Sequence, residues 1–152
     1  MITKLFTDGS VNPQKKVGFG AYLTVTNKGD VSKVETKKFE NTSSTQLELE
    51  ALLWAVESID ITTDLCIYTD CQNILGLPLR REGLEKRNYH SKTGKLLKHS
   101  LLYKRFFTLT DKYSCTFIKV KGHKKSSLKD EGDNLFTLVD KASRDALRAH
   151  LF

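Results

Sequence analysis

Two aspartates stand at the ends of two apolar, β-rich stretches of the chain. Asp8 closes the stretch that begins at Ile2 and is followed by Gly9-Ser10, where we expect the strand to stop. Asp70 closes a second such stretch, residues 65–69. If the two strands are parallel and adjacent, both carboxylates converge at one edge of a sheet. A carboxylate there is costly to bury without a cation, so the pair indicates a divalent metal site.

A third carboxylate, Glu48, falls on a predicted helix, and two interpretations of it stay open. Residues 45–48 match a capping box, which would make Glu48 only a helix cap. Glu48 also shares a helix face with Leu52, Ala55 and Ile59, which a cap does not explain, and we prefer a functional role. We expect Glu50, on another face, to point to solvent.

Length and composition limit the class of protein. The chain has 152 residues, enough for one domain (1–152) with a closed core. Its 25 basic and 18 acidic residues give a net charge of +7, which favours acidic partners such as nucleic acid. Three cysteines without a CxxC pair indicate reduced thiols, not a zinc site. Met1 leads directly into a strand and no apolar run is long enough to span a membrane, so we expect a cytoplasmic protein.

Alternating apolar patterns predict five strands. The first three are expected at residues 2–8, 19–26 and 31–39, with a turn-rich connection over 9–20 and a hairpin turn at 27–30. Lysines at positions 33, 37 and 38 mark the third strand as an exposed edge. The last two strands are expected at 64–69 and 113–120. If the fourth is parallel to the first, the chain forms an α/β fold: a mixed five-stranded sheet, three strands antiparallel and two parallel, flanked by helices.

Helical periodicity fills the segments between these strands. The first helix is expected to begin at 43–45 and to run to Ile59, and a short one over 72–75 is expected to end at Gly76 and Pro78. Residues 101–109 form a third helix. A polar, charged loop over 124–132 leads to a final helix, with Asp133 as its cap. The apolar face of that helix is predicted to hold Leu135, Leu138, Val139, Ala142 and Ala146.

The segment from Arg80 to Lys98 is the most basic part of the chain. It holds seven lysines and arginines against only Glu82 and Glu85. A charge run of this kind is usually a solvated loop and helix. Its concentration of cations equally suits a surface that follows the phosphates of a nucleic acid. Both interpretations stay open.

Five short motifs, taken in chain order, carry a resemblance to a known family. They are Thr7-Asp8-Gly9-Ser10, Glu48-Leu49 with Ala51 and Glu57 on the same helix, Thr69-Asp70-Cys71-Gln72, Val120-Lys121-Gly122-His123, and Asp140-Lys141-Ala142-Ser143-Arg144. In order and in position on the predicted elements they resemble the ribonuclease H family, type 1. The resemblance covers essentially the whole chain. It implies a ribonuclease H-like fold and an endonuclease that hydrolyses the RNA strand of RNA·DNA hybrids, leaving 3′-hydroxyl and 5′-phosphate ends.

The same resemblance implies the roles of the site residues. The four metal-binding carboxylates of the family fall on Asp8, Glu48, Asp70 and Asp140. Together they would hold two Mg²⁺ ions, with Mn²⁺ as a possible substitute, for two-metal-ion hydrolysis of a phosphodiester. His123 resembles the family's loop histidine, which assists proton movement or product departure. A surface histidine at a strand end is the alternative for that residue.

Contacts with the hybrid are also implied by the resemblance. Asn12 and Gln72 would lie along the groove that reads the 2′-hydroxyls of the RNA, and Ser43 would contact a phosphate of the DNA strand. The basic segment resembles the protrusion with which the family grips its substrate. We expect the protein to be a monomer. Its predicted contact residues are Arg80, Arg81, Lys86, Arg87, Lys92 and Lys95.

Two departures from the family pattern bear on these assignments. The stretch between His123 and Asp140 is long and contains Asp130, Glu131 and Asp133, each an alternative fourth ligand. We choose Asp140, because Ala142-Ser143-Arg144 follows it as in the motif. Ser44 and Thr45 stand where the family commonly has asparagines.

Three other functions stay open beside hydrolysis of RNA·DNA hybrids. They are a nuclease of the same fold that acts on DNA or structured RNA, a silent hybrid-binding module, and a basic scaffold domain.

Overall fold

The computed structural model describes residues 2–60, 64–120 and 130–152. In these residues the chain forms one five-stranded sheet with helices on both faces. The strands are β1 (Ile2–Asn12), β2 (Val17–Val25), β3 (Glu35–Glu40), β4 (Asp64–Thr69) and β5 (Ser114–Lys119). The helices are α1 (Ser44–Ser58), α2 (Gln72–Lys86), α3 (Ser100–Lys112) and α4 (Glu131–Leu151).

The strands lie in the order β3-β2-β1-β4-β5. The first three are antiparallel, β4 is parallel to β1 and β5 is parallel to β4, which confirms the predicted mixed sheet. β3 is an edge strand as predicted, but it begins at Glu35, and Val31 forms only an isolated bridge. The Ser32 hydroxyl accepts a hydrogen bond from the Thr24 backbone at 2.9 Å, where a regular ladder would offer a carbonyl. Regular pairing of the third strand with β2 therefore begins only after this bond, at Glu35 opposite Tyr22.

β1 is longer than the sequence predicted. It does not stop at Gly9 but continues to Asn12, paired residue by residue with β2, so the predicted connection over 9–20 shrinks to a turn at 13–16. Its pairing with β4, in contrast, ends at Phe6 opposite Tyr68. Asp8 therefore lies just past the point where β1 and β4 separate, although its strand goes on.

The alternation along β1 assigns its two faces to two cores. Leu5 is fully buried in a core with residues of α1, α2 and α3. Phe6 is buried on the opposite face, where α4 supplies Phe136 and Val139. Because the sheet is covered on both sides, side chains from both helical layers can reach the sheet edge where β1 and β4 separate.

Two glycines of β2 let α1 approach the sheet closely. A Cβ atom on Gly18 would lie 2.6 Å from Leu47 Cδ2, and one on Gly20 would lie 2.7 Å from Ala51 Cβ. Both distances are shorter than real Cβ atoms show, so at Gly20 no larger residue fits without moving the helix, whereas at Gly18 the Leu47 side chain would have to shift. Leu47 and Ala51 flank Glu48 in the sequence, and their close contact therefore sets how near Glu48 stands to the sheet.

Two predicted helix boundaries are wrong. α2 does not end at Gly76 and Pro78 but runs on to Lys86. Pro78 costs the helix about 3 kcal/mol through a lost hydrogen bond and a steric clash. Burial of Ile74, Leu77 and Leu84 outweighs this, at roughly 1.5–3 kcal/mol for each side chain.

The final helix also begins earlier than predicted. α4 starts at Glu131 with Asp130 as N-cap, and Asp133 is the third residue of a capping box with Asp130, so the prediction of Asp133 as N-cap is wrong. The predicted apolar face needs correction as well. Leu138 is 48 % exposed, whereas Phe136, which the sequence pattern missed, is buried together with Val139. Starting the helix earlier satisfies its first backbone N–H groups through the acidic pair.

We predict that Gly20→Ala destabilises the protein, because the added methyl collides with Ala51 and forces α1 away from the sheet. Gly76→Ala is the matched control, since no atom lies within 4 Å of its Cβ position and alanine favours a helix. Thermal unfolding should show a lower midpoint for Gly20→Ala and an equal or higher one for Gly76→Ala. An unchanged midpoint for Gly20→Ala would contradict the close approach of α1.

Candidate active site

Asp8 is the most buried acidic side chain at the sheet edge, with 4 % of its surface exposed. Burial raises the pKa of its carboxyl to about 9, with further contributions from the charges of Glu48 and Asp70 and from a hydrogen bond with the Asp140 side chain. Asp70 follows directly after the last residue of β4, which is parallel to β1. The parallel pairing thus brings the two aspartates together.

Glu48 reaches the same place from α1. Burial, together with the smaller effect of the charge of Asp70, raises the pKa of its carboxyl to about 8. The interpretation of Glu48 as a helix cap is wrong, because α1 is capped by Ser43, whose hydroxyl accepts a hydrogen bond from the Gln46 backbone. Glu50 is not solvent-facing as predicted: it is half-buried and accepts a 2.7 Å hydrogen bond from Thr42.

Asp140 comes to the site from α4, on the other face of the sheet. Its carboxyl shares a hydrogen bond with Asp8 and accepts a second one from Arg144 at 2.9 Å. Asp8 thus interacts with the other three predicted carboxylates, which stand at the end of β4, on α1 and on α4. Asp130 and Asp133, which competed with Asp140 as the fourth ligand, are engaged with each other in the capping box of α4.

The donor set suits a hard divalent cation. Carboxylate oxygens are the ligands that Mg²⁺ and Mn²⁺ take in proteins, and crowded carboxylates that repel one another are relieved by a cation between them. Within the part of the chain that the structure describes, no group of three or more acidic, histidine or cysteine side chains is arranged so that it could hold a metal ion as it stands. The fit to a metal therefore rests on the chemistry and electrostatics of the cluster, and His123 lies outside the described residues.

A thiol that the sequence pattern did not single out stands beside the cluster. Cys71 is the N-cap residue of α2 and interacts with the charges of Glu48 and Asp70. Burial raises the pKa of this thiol to about 11, so it stays neutral at physiological pH. Its position directly after Asp70 in the sequence could have indicated that Cys71 lies next to the carboxylates.

The residues predicted to contact the hybrid groove are placed as follows. The Asn12 side chain closes the β1–β2 turn by accepting backbone hydrogen bonds from Gln14 and Lys15. Gln72 is the exposed first residue of α2. Ser43 lines a cavity of about 320 Å³ at the start of α1. Lys98, the last cation of the basic segment, lines the same cavity together with Lys16, which the sequence analysis did not single out.

Some basic side chains of the segment form ion pairs or hydrogen bonds with described residues, and others have no acidic partner among them. Arg81 makes a bidentate ion pair with Asp111, at 2.6 and 2.8 Å, and a second ion pair with Glu85. Arg80 donates to Asn73 and lies over the ring of Tyr103. The other four predicted contact residues are exposed and have no acidic partner within the described residues; they are Lys86, Arg87, Lys92 and Lys95.

Comparison with known proteins now assigns the family. The family model described as RNase H matches residues 2–147, which is nearly the whole chain. The chain belongs to the RNase H family. The predicted family is thereby confirmed. Members of this family cleave the RNA of RNA·DNA hybrids and are typically Mg²⁺-dependent.

Relatives and solved structures agree with the assignment. A protein named ribonuclease H from Clostridium botulinum is 27% identical over 135 residues, covering 86% of this chain and 90% of that protein. Another of that name from Chlorobium phaeobacteroides is 29% identical over 146 residues, covering 92% and 96%. The solution structure of the PFV RNase H domain matches with a TM-score of 0.72 at 14% identity, covering 95% of this chain and 92% of that one. This structural likeness confirms the RNase H-like fold. Among the described residues, no helix is long and apolar enough to cross a membrane.

The raised pKa values of Asp8 and Glu48 predict how the stability of the metal-free protein depends on pH. Both groups titrate near pH 4 when unfolded but at about 9 and about 8 in the folded state. Between these limits the folded protein holds more protons, so the stability that both groups contribute at low pH is lost as pH rises towards 9.

The expected result is a thermal unfolding midpoint that falls more steeply from pH 6 to pH 9 in the metal-free wild type than in Asp8→Asn. Asparagine at position 8 does not titrate, whereas all distant groups titrate equally in both proteins. Parallel curves for the two proteins would contradict the raised pKa of Asp8.

Proposed function

We propose that the chain is a metal-dependent endonuclease that hydrolyses the RNA strand of RNA·DNA hybrids and leaves 3′-hydroxyl and 5′-phosphate ends. The observation that carries the proposal is the placement of the buried Asp8 just past the end of the β1–β4 pairing, next to Asp70, in a chain that the RNase H family model matches. Coupled carboxylates at the separation point of two parallel strands, in a member of the RNase H family, suit divalent metal and a phosphodiester substrate.

In this proposal the four carboxylates hold two Mg²⁺ ions, with Mn²⁺ as a possible substitute. The ions supply an activated water and stabilise the leaving 3′-oxygen. Asp8, the most buried of the four, is held in β1 by its pairing with Ala21 of β2, and its other side is open beyond the end of the β1–β4 pairing at Phe6. Glu48 and Asp140 approach from opposite faces of the sheet. His123 is assigned to proton transfer or product departure near the cleaved bond.

Selection of a hybrid requires contacts with both strands. Asn12 and Gln72 are assigned to the 2′-hydroxyls of the RNA, which tell RNA from DNA. Ser43 is assigned to a phosphate of the DNA strand, and the support is its place in a cavity with Lys16 and Lys98. Two cations beside a hydroxyl and a helix start favour an oxyanion.

The protrusion is proposed to grip the hybrid through its unengaged cations. Lys92 and Lys95 lie in the exposed connection between α2 and α3, without acidic partners among the described residues, and are free to neutralise phosphates. Arg81 is assigned a smaller part in binding the hybrid, because its guanidinium already forms ion pairs with Asp111 and Glu85. Its ion pair with Asp111 joins α2 to α3, and its ion pair with Glu85 lies within α2.

We predict that Asp70→Asn and Asp140→Asn each reduce Mg²⁺-dependent cleavage of a labelled RNA·DNA hybrid by several orders of magnitude, while binding of the hybrid is retained. Asp145→Asn is the matched control. Asp145 lies on α4 near Asp140 but pairs with Lys141 at the surface, so this variant should cleave at the wild-type rate.

Substrates and metals are compared in the same assay. Cleavage should occur with Mg²⁺ or Mn²⁺, stop with a chelator, and be confined to the RNA of the hybrid. Wild-type rates in Asp70→Asn would refute the assignment of the cluster. Hybrid binding without turnover in the wild type would identify a silent binding module, and cleavage of duplex DNA would identify another nuclease of the same fold.

A further inference from the structure

A hydrogen-bonded pair of serines joins β1 to α4 beside the carboxylate cluster. Ser10 lies two residues beyond Asp8, on the same face of β1, and Ser143 lies one helical turn beyond Asp140. Their hydroxyl oxygens are 3.0 Å apart. Ser143 is fully buried and Ser10 is half-buried. A buried serine hydroxyl requires polar partners, and Ser10 is the partner of Ser143 that lies on another element of the fold.

The direction of this bond follows from a second one. The Ser143 hydroxyl also donates to the backbone carbonyl of Asp140, at 3.0 Å. A serine hydroxyl has one proton to donate, so Ser10 must donate to Ser143 and Ser143 must accept. Two hydrogen bonds therefore run from β1 through Ser143 to the backbone of Asp140. These hydrogen bonds connect Asp140 to β1, the strand that carries Asp8.

The two serine hydrogen bonds act on Asp140, whose side chain is less constrained than that of Asp8. Asp140 is held less firmly than Asp8, because its side chain is one-third exposed and shares its carboxyl between Asp8 and Arg144. Two carboxyl groups on separate elements also repel each other once both are ionised. A metal site needs its ligands fixed to within about 0.5 Å, so a bond that fixes the Asp140 backbone has a direct effect on metal affinity.

We propose that Ser10 and Ser143 are positioning residues that hold Asp140 at the distance from Asp8 required for metal binding. The inference rests on the proposed function, since it concerns the same carboxylates. The pair acts on the metal requirement of the reaction and leaves the affinity for the hybrid unchanged.

The test compares three variants by their dependence on Mg²⁺. Ser143→Ala removes both hydrogen bonds, Ser10→Ala removes one, and Ser10→Thr keeps the hydroxyl. Both alanine variants should raise the Mg²⁺ concentration for half-maximal cleavage, and the Kd for Mn²⁺ measured by calorimetric titration without substrate, by about fivefold, because each breaks the same chain of bonds and one hydrogen bond typically contributes this factor. At saturating Mg²⁺ the KM for the hybrid should equal that of the wild type, and Ser10→Thr should restore the wild-type midpoint.

The double variant should be no worse than Ser143→Ala, because both changes break one chain of bonds. Ser58→Ala is the control: it removes a serine hydroxyl that bonds the Trp54 carbonyl on α1, at the far end of that helix from Glu48. It should leave the Mg²⁺ midpoint unchanged.

An unchanged midpoint in Ser10→Ala, or a loss of thermal stability without a shifted midpoint in both alanine variants, would overturn the positioning role. Failure of the proposed function would look different. In that case the wild type itself would show no Mg²⁺-dependent cleavage of the hybrid. The two failures are therefore separated by the wild-type arm of the same experiment.

Discussion

Mutual repulsion of acidic side chains held close together and away from water is the constraint on which the rest of this structure depends. Burial and neighbouring charge raise the pKa of Asp8 to about 9, and Glu48 is raised to about 8. Such a cluster weakens a fold unless a cation is bound there, because each carboxyl lacks the solvation it would have when unfolded. We interpret the cluster as stability given up for metal binding, in keeping with an RNase H family member.

The surrounding elements hold that cluster together against its own repulsion. β1 is paired on both sides up to Phe6 and on one side beyond it, so Asp8 is fixed in the sheet but open towards Asp70. Close contact through Gly18 and Gly20 keeps α1 near the sheet. The opposite face is covered by α4, whose length spans both its capping box and the turn that carries Asp140.

Much of this arrangement could be predicted from the sequence, because strand ends and helix faces are local patterns. The two Thr-Asp strand ends predicted that Asp8 and Asp70 would meet. The end of β1 was predicted wrongly, since Gly9 resembles a stop signal but faces Gly20 across the β1–β2 pair. Pro78 misled in the same way, because the tertiary packing of α2 outweighs its local cost. Contacts between residues distant in sequence, such as Ser10 with Ser143, leave no local pattern.

Calorimetric titration of the protein with Mn²⁺ at pH 7, in buffers of different ionisation enthalpy, tests the cluster most directly. If Asp8 and Glu48 hold protons before the metal arrives, binding must release protons, and the apparent binding enthalpy will change with the buffer. Our account predicts such release in the wild type and less of it in Asp8→Asn. Binding without proton release, or no binding to the wild type, would contradict it.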